Sequence, residues 1–243
     1  MRVVDVPVSA SLGWIREAFS IYRAQPLAWT SLAAGWLLIT LALMMVPIIG
    51  LPLAQISQPA FFAGMVIACR DQEMGKPVVF AHLVAGFQAA GRPLVQVGSI
   101  VLLADILINL AFAASGVLGS FADAQADAKS VEEIMGAARK SFSESMWGWL
   151  ALALSTALVH GMTWFTAALL AHRAMPASHA IRWSFYALIG NFIPLAFFGV
   201  VMMVLFVLGA LPLWLGLLVF FPLYIITHYT SFKSIFRADA DVA

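Results

Sequence analysis

Apolar residues run along this chain in six long blocks separated by short polar stretches, without the strict alternation of barrel strands. The blocks are Leu27 to Val46, Leu51 to Cys69, Leu94 to Ala114, Trp147 to Ala171, Phe192 to Gly209 and Leu211 to Tyr229. Each approaches the ~20 helical residues that a bilayer core requires. The first two merge into one run, as do the last two, and a single helix through either run would overshoot the bilayer at ~1.5 Å per residue. Each merged run is therefore predicted to fold back as a hairpin. "PIIGLP" (Pro47 to Pro52) and "GALP" (Gly209 to Pro212) supply the breakers, because proline removes a helical donor and glycine tolerates turn conformations. The pattern predicts an all-α polytopic transmembrane bundle of six spans.

The polar segments before the spans repeat. "IREAFSIYRAQPLA" (Ile15 to Ala28) and "IRWSFYALIGNFIPLA" (Ile181 to Ala196) share Arg16 and Arg182, Phe19 and Phe185, and then Pro26 and Pro194 followed by Leu-Ala. "LVAGFQAAGRPL" (Leu83 to Leu94) is a weaker copy. The chain thus reads as one integral-membrane domain, 1–243, of three parallel units covering 11–69, 78–171 and 177–229. Each unit pairs an amphipathic cytoplasmic interfacial helix with a hairpin of two spans. In the first such helix, Trp14, Ala18, Ile21 and Tyr22 recur at helical spacing while Arg16 and Arg23 lie off that face. This suits a helix lying in the headgroup layer, or an elbow steering the chain into the membrane.

The one long polar loop, 115–146, is expected outside. Within it, Ser130 and Glu133 stand in capping-box spacing, and Ile134, Ala138 and Phe142 are predicted to share the inward face of a short helix. Its charges, Asp123, Asp127, Glu132, Glu133, Arg139 and Lys140, form either a contact surface for a partner or a solvated face.

Composition strengthens the membrane reading: 63% of residues are hydrophobic and only 10% charged, against the ~25% charged of ordinary soluble domains. The net charge of +1, with no block of like charges, excludes a nucleic-acid partner. The lone Cys69 rules out an intramolecular disulfide and paired-thiol metal or redox motifs, so no metal or cofactor is expected. "MRVVDVPVSA" lacks the charged start and apolar core of a cleaved signal peptide. Arg2, Arg16, Arg23, Arg70, Lys76, Arg92, Arg173, Arg182, Lys233 and Arg237 fall on one side of the predicted spans, and only Lys129, Arg139 and Lys140 on the other. Both termini are therefore predicted to be cytoplasmic. Trp29 and Trp183 near the inner boundary, and Trp147, Trp149 and Trp214 near the outer one, are placed as interfacial anchors.

Chemistry-bearing residues inside the spans are few. Asp105 lies eleven residues into the third block and His160 eleven residues from the cytoplasmic end of the fourth, so both sit ~16 Å deep, with Asn109 one turn from Asp105. An ionised aspartate at mid-bilayer costs roughly 3 kcal/mol, so it must be paired or protonated, and His160 is its candidate partner. Two readings stand: a proton-linked polar site of Asp105, His160 and Asn109, or a structural clasp between two helices. Gln55 and Gln58 near Pro52 and Pro59 could line a broken helix or cap a turn. No serine elbow, P-loop or paired-carboxylate motif is present.

With "GWIREAFSIYRAQPLAW", "PIIGLPLA", "GMVIACRDQEMGKPV", "IRWSFYALIGNF" and "YTSFKSIF", the chain resembles a family of uncharacterised proteobacterial six-span inner-membrane proteins. It is more distantly similar to the membrane domain of some glycerophosphodiester phosphodiesterases. The resemblance covers nearly the whole chain outside the long loop and is most specific around Arg16, Pro26, Gly64, Arg70, Gly75, Arg182, Asn191 and Phe236. It implies fold and a bacterial inner-membrane location, and brings no catalytic residue. The expectation is a multi-pass protein in contact with the lipid bilayer and with a membrane-protein partner or a second copy of itself. It would act without catalysis as a scaffold, accessory or membrane-organising protein. The rival is a small proton-linked transporter or exporter built on Asp105 and His160.

Overall fold

The computed structural model describes residues 2–117, 130–211 and 216–237. Its helices are α1 (Ala10–Ala24), α2 (Pro26–Met44), α3 (Gly50–Glu73), α4 (His82–Ala114), α5 (Val131–Glu144), α6 (Met146–Thr163), α7 (Thr166–His172), α8 (Ala177–Gly190), α9 (Phe192–Ala210) and α10 (Leu217–Ile235). Two short strands, β1 (Arg2–Val3) and β2 (Phe236–Arg237), pair antiparallel. The spans Pro26–Met44, Gly50–Glu73, His82–Ala114, Met146–His172 and Phe192–Ala210 are long and apolar enough to cross a membrane. Large apolar side chains such as Leu38, Leu103, Leu110, Leu154, Val200 and Met203 are exposed along them, as lipid-facing surfaces require. Contacts divide the chain into two compact units, Met1–Ser99 with Met162–Ala243, and Ile100–Gly161.

The turn expected at "PIIGLP" forms where proline and glycine put it. α2 ends at Met44, Ile48 takes a left-handed backbone (φ 67°), and α3 starts at Gly50, whose missing side chain admits the Leu43 carbonyl. After α3, Gly75 adopts φ 79°, a conformation that favours glycine, and the chain reverses into α4. The two helices approach backbone to backbone. A methyl group at Gly64 would stand 2.0 Å from the His82 carbonyl oxygen, and one at Gly86 2.0 Å from that of Ala60. Small residues permit such contact, which supplies the packing that lipid cannot drive.

The repeat has a backbone counterpart. At Gln25, Ala90 and Asn191 the helix breaks at a single residue, with φ/ψ of −143°/61°, −152°/41° and −120°/31°. The breaks at Gln25 and Asn191 each fall nine residues after the repeat arginine. Their side-chain amides do the same work: Gln25 Oε1 accepts the Val78 amide at 3.0 Å, and Asn191 Oδ1 accepts the Val6 amide at 2.9 Å. Each break thereby clamps an extended backbone segment that has no helix to satisfy it. At Ala90 the side chain can form no such clamp, and the next helical segment continues through Pro93.

The centre of the larger unit is α10, which packs against α1, α2, α3, α7 and α9. Part of the sixth apolar block, read as a span from Leu211 to Tyr229, lies outside the described residues; the described helix continues past Tyr229 to Ile235, and its second half is polar yet buried. Thr227, Thr230 and Ser231 are fully buried. Their hydroxyls bond within the protein, Thr227 to the Tyr224 carbonyl, Ser231 to that of Thr227 and Thr230 to that of Trp14. Hydroxyls returned to backbone are cheap to bury, which is why hydropathy ended the element at Tyr229. Around it, the His228 ring stacks on Trp164 (3.8 Å, 20°) and meets Phe62 and Tyr224 at 4.8 and 5.0 Å.

The interfacial face of α1 is also corrected. Trp14 and Ala18 are almost wholly buried against protein, with Trp14 edge-on to Phe198, while Leu12 and Phe19 are exposed on the other side. Trp29 is no anchor: it is buried and donates to Gln72 Oε1 at 2.6 Å, and Gln72 in turn donates to the Ile21 carbonyl. The fourth block is broken at Trp164 and Phe165, where Ser184 Oγ accepts the Phe165 amide freed by the break. Trp214, like Asp123, Asp127 and Lys129, lies outside the described residues.

Candidate functional site

In the smaller unit, the last part of α4 and helix α6 bring together the residues that depth alone had paired. His160 Nε2 lies 3.2 Å from Asp105 Oδ2, with the Asp105 side chain 17% and that of His160 49% exposed. Asn109 is one turn on, but its amide donates to the Asp105 main-chain carbonyl at 2.8 Å and not to the carboxylate. The flanking residues Leu103, Ile106, Leu107, Leu154 and Leu158 are exposed and apolar. Chemically the pair is a carboxylate and an imidazole sharing one hydrogen bond, able to hold one proton between them.

The same unit contains the loop helix. Ser130 Oγ accepts the Glu133 amide at 3.2 Å, as the capping-box spacing predicts. The inward face is shifted by one position, however: Ile134, Ala137 and Ser141 are the least exposed, while Ala138 and Phe142 are exposed. On that face Trp149 Nε1 donates to Ser141 Oγ at 3.2 Å.

A second polar cluster, in the larger unit, escaped the sequence. Lys233 Nζ contacts Glu73 Oε1 at 2.6 Å and Glu17 Oε1 at 3.0 Å, while the Tyr229 hydroxyl donates to Glu73 Oε2 at 2.5 Å. Three helices far apart in the chain, α1, α3 and α10, are tied at one point. Charges 160 and 216 residues apart offer no local spacing to read. Because Lys233 is 40% exposed, solvent screening holds the expected cost of Lys233→Met to about 1 kcal/mol. The thermal unfolding midpoint of the variant in detergent, compared with that of the wild type, checks this.

The repeat positions take different surroundings. Arg16 and Arg182 are exposed, Phe19 is exposed and Phe185 half-buried. Pro26 is exposed as the first residue of α2, whereas Pro194 is buried in α9, its carbonyl accepting Ser11 Oγ at 2.7 Å. The prolines therefore share a place beside a break, not a contact.

Taken together, these features define a polytopic helical membrane protein with two small polar centres. Comparison with known proteins agrees. The chain is 31% identical over 96 residues to a protein of Burkholderia thailandensis named as a probable inner membrane protein. That similarity spans 40% of this chain and 36% of the relative's length. No protein-family profile and no solved structure matches the chain. Nothing in these comparisons links it to glycerophosphodiester phosphodiesterases.

Proposed function

We propose that this chain is a six-span protein of the bacterial inner membrane that performs no catalysis and holds or organises a membrane partner. The observation that carries this reading is the brevity of the polar pair. Asp105 and His160 are the only ionisable residues on 100–114 and on α6. A proton route needs a succession of such groups, and this one has two members. A hydrogen bond of about 0.6 kcal/mol is enough to set how two membrane helices dock. The exposed charges of α5 (Glu132, Glu133, Arg139 and Lys140) supply a polar surface for the partner.

The name of the Burkholderia relative supports the inner membrane, and the lysine and arginine distribution supports cytoplasmic termini. The pairing of Arg2 with Arg237 and Val3 with Phe236 sets the two ends of the chain side by side. Ends on one side require an even number of crossings, which supports α10 as a sixth span beside the five long apolar ones.

The 3.2 Å contact between carboxylate and imidazole favours a second reading, a proton-linked transporter or exporter. Asp105→Asn separates the two, because it removes the charge and keeps the shape. The expected outcome is an unchanged phenotype in a strain lacking the wild-type protein, and an unchanged set of proteins recovered by gentle purification from native membranes. A variant that is folded and expressed, yet fails to restore the phenotype with its partners retained, would reverse the preference.

A further inference from the structure

Among the described residues, a pair of guanidinium groups in the larger unit has no acceptor. Arg70 lies in the last turn of α3 and Arg173 caps the C-terminal end of α7, which packs along α3. The Tyr229 ring lies 6.1 Å from that of His172, which precedes Arg173, and its hydroxyl bonds Glu73, three residues after Arg70, so the two arginines flank one place. Arg70 is half-buried, and its Nε is shut off from solvent without a hydrogen-bond partner. Arg173 is exposed.

The carboxylates of α1 and α3 are engaged elsewhere. Glu73 is taken by Lys233 and Tyr229, Glu17 by Lys233, and Asp71 by Lys76 and His82. His172 is held in place by a contact of Nδ1 with the Ala168 carbonyl at 2.9 Å and by the neighbouring rings of Phe232 and Tyr229. Two helix C-termini attract cations, which explains arginine there but leaves the buried donor unfilled. An oxyanion would fill it and relieve the repulsion between like charges. Planar guanidinium forks match phosphate oxygens two at a time.

We propose that Arg70 and Arg173 form a binding site for a phosphate group, carried by an anionic phospholipid headgroup or by a soluble phosphorylated ligand. The predicted cytoplasmic position at the membrane edge suits the lipid, since that leaflet presents anionic headgroups to basic residues.

The test uses the full-length protein in detergent, reading the thermal unfolding midpoint. Dioleoylphosphatidylglycerol or dioleoylphosphatidylcholine is titrated into the micelles, and inorganic phosphate is titrated separately against chloride of equal ionic strength. Phosphatidylglycerol is expected to raise the midpoint where phosphatidylcholine does not. Arg70→Gln and Arg173→Gln should each weaken its apparent affinity at least fivefold, with Arg92→Gln, an exposed arginine of α4, leaving it intact. Should Arg70→Gln fail to fold, Arg70→Lys keeps the charge without the fork, and its weakening together with that of Arg173→Gln decides the matter. Protection by inorganic phosphate alone upholds the site and assigns it to a soluble ligand. An equal response to both lipids with none to phosphate, an unchanged affinity in the Arg70 and Arg173 variants, or an equal loss in Arg92→Gln would overturn it.

Discussion

Gly64→Ala should destabilise the protein by about 3 kcal/mol, at the upper end of what overpacking costs. The added methyl group would stand 2.0 Å from the His82 carbonyl oxygen and 3.2 Å from the Gly86 nitrogen, and both are backbone atoms that no rotamer change can move. Alanine gains about 1 kcal/mol over glycine in a helix, so the clash must exceed that gain for the variant to lose. Separating α3 from α4 by more than an ångström gives up the close contact along both helices, which decides the sign. Gly86→Ala meets the reciprocal obstruction, 2.0 Å from the Ala60 oxygen and 2.8 Å from the Gly64 nitrogen, and should cost as much. Gly13 and Gly199 have nothing within 4 Å of the same hypothetical methyl, so alanine there should be neutral or stabilising by up to about 1 kcal/mol. Unfolding midpoints of the four variants in one detergent check the claim, and a Gly64→Ala protein as stable as Gly13→Ala would refute it.

Asn191→Leu is expected to cost roughly 2–3 kcal/mol, because leucine retains the bulk while removing every hydrogen bond of a fully buried amide. Asn191 accepts the Val6 amide and donates to the carbonyls of Val4 and Ala187, at 2.9, 3.2 and 3.3 Å. The segment it holds feeds directly into β1, and Val4 reaches the Ile235 carbonyl at 2.9 Å beside β2. The loss should therefore be local as well as global: amide hydrogen exchange at residues 2–6 and 236–237 should accelerate before the helices respond. Gln25→Ala removes one bond of the analogous clamp, to Val78, and should cost less. Uniform acceleration across the protein, with no lead at the termini, would mean that Asn191 acts by packing alone.

These two sites differ in how far the sequence announced them. Gly64 and Asn191 both fall within the stretches on which the family resemblance rests, yet neither spacing nor composition says what each does. Glycine in an apolar helix reads as lipid-facing filler until a second backbone is placed against it. An asparagine at the mouth of a span reads as a cap until the N-terminal segment, 185 residues away, is seen under its oxygen.

What the sequence determined by itself is the part governed by local physics. Runs of about twenty apolar residues must be helices where no water can satisfy a peptide group. Proline and glycine placed the turn before α3, Ser130 capped α5, and equal depth along two helices matched Asp105 with His160. Only the tertiary structure decided which apolar helix becomes the hub, which tryptophan faces protein, and which charges meet. α10 carries hydroxyls and a histidine that hydropathy counts as losses, but burial against α1, α2, α3, α7 and α9 returns those hydroxyls to backbone partners. Glu17, Glu73 and Lys233 likewise gain meaning when three distant helices converge, and the unmatched Arg70 and Arg173 when their carboxylate neighbours prove engaged elsewhere. Periodicity records what each helix turns toward its surroundings, whereas the identity of those surroundings, lipid or another helix, depends on contacts between residues far apart in the chain.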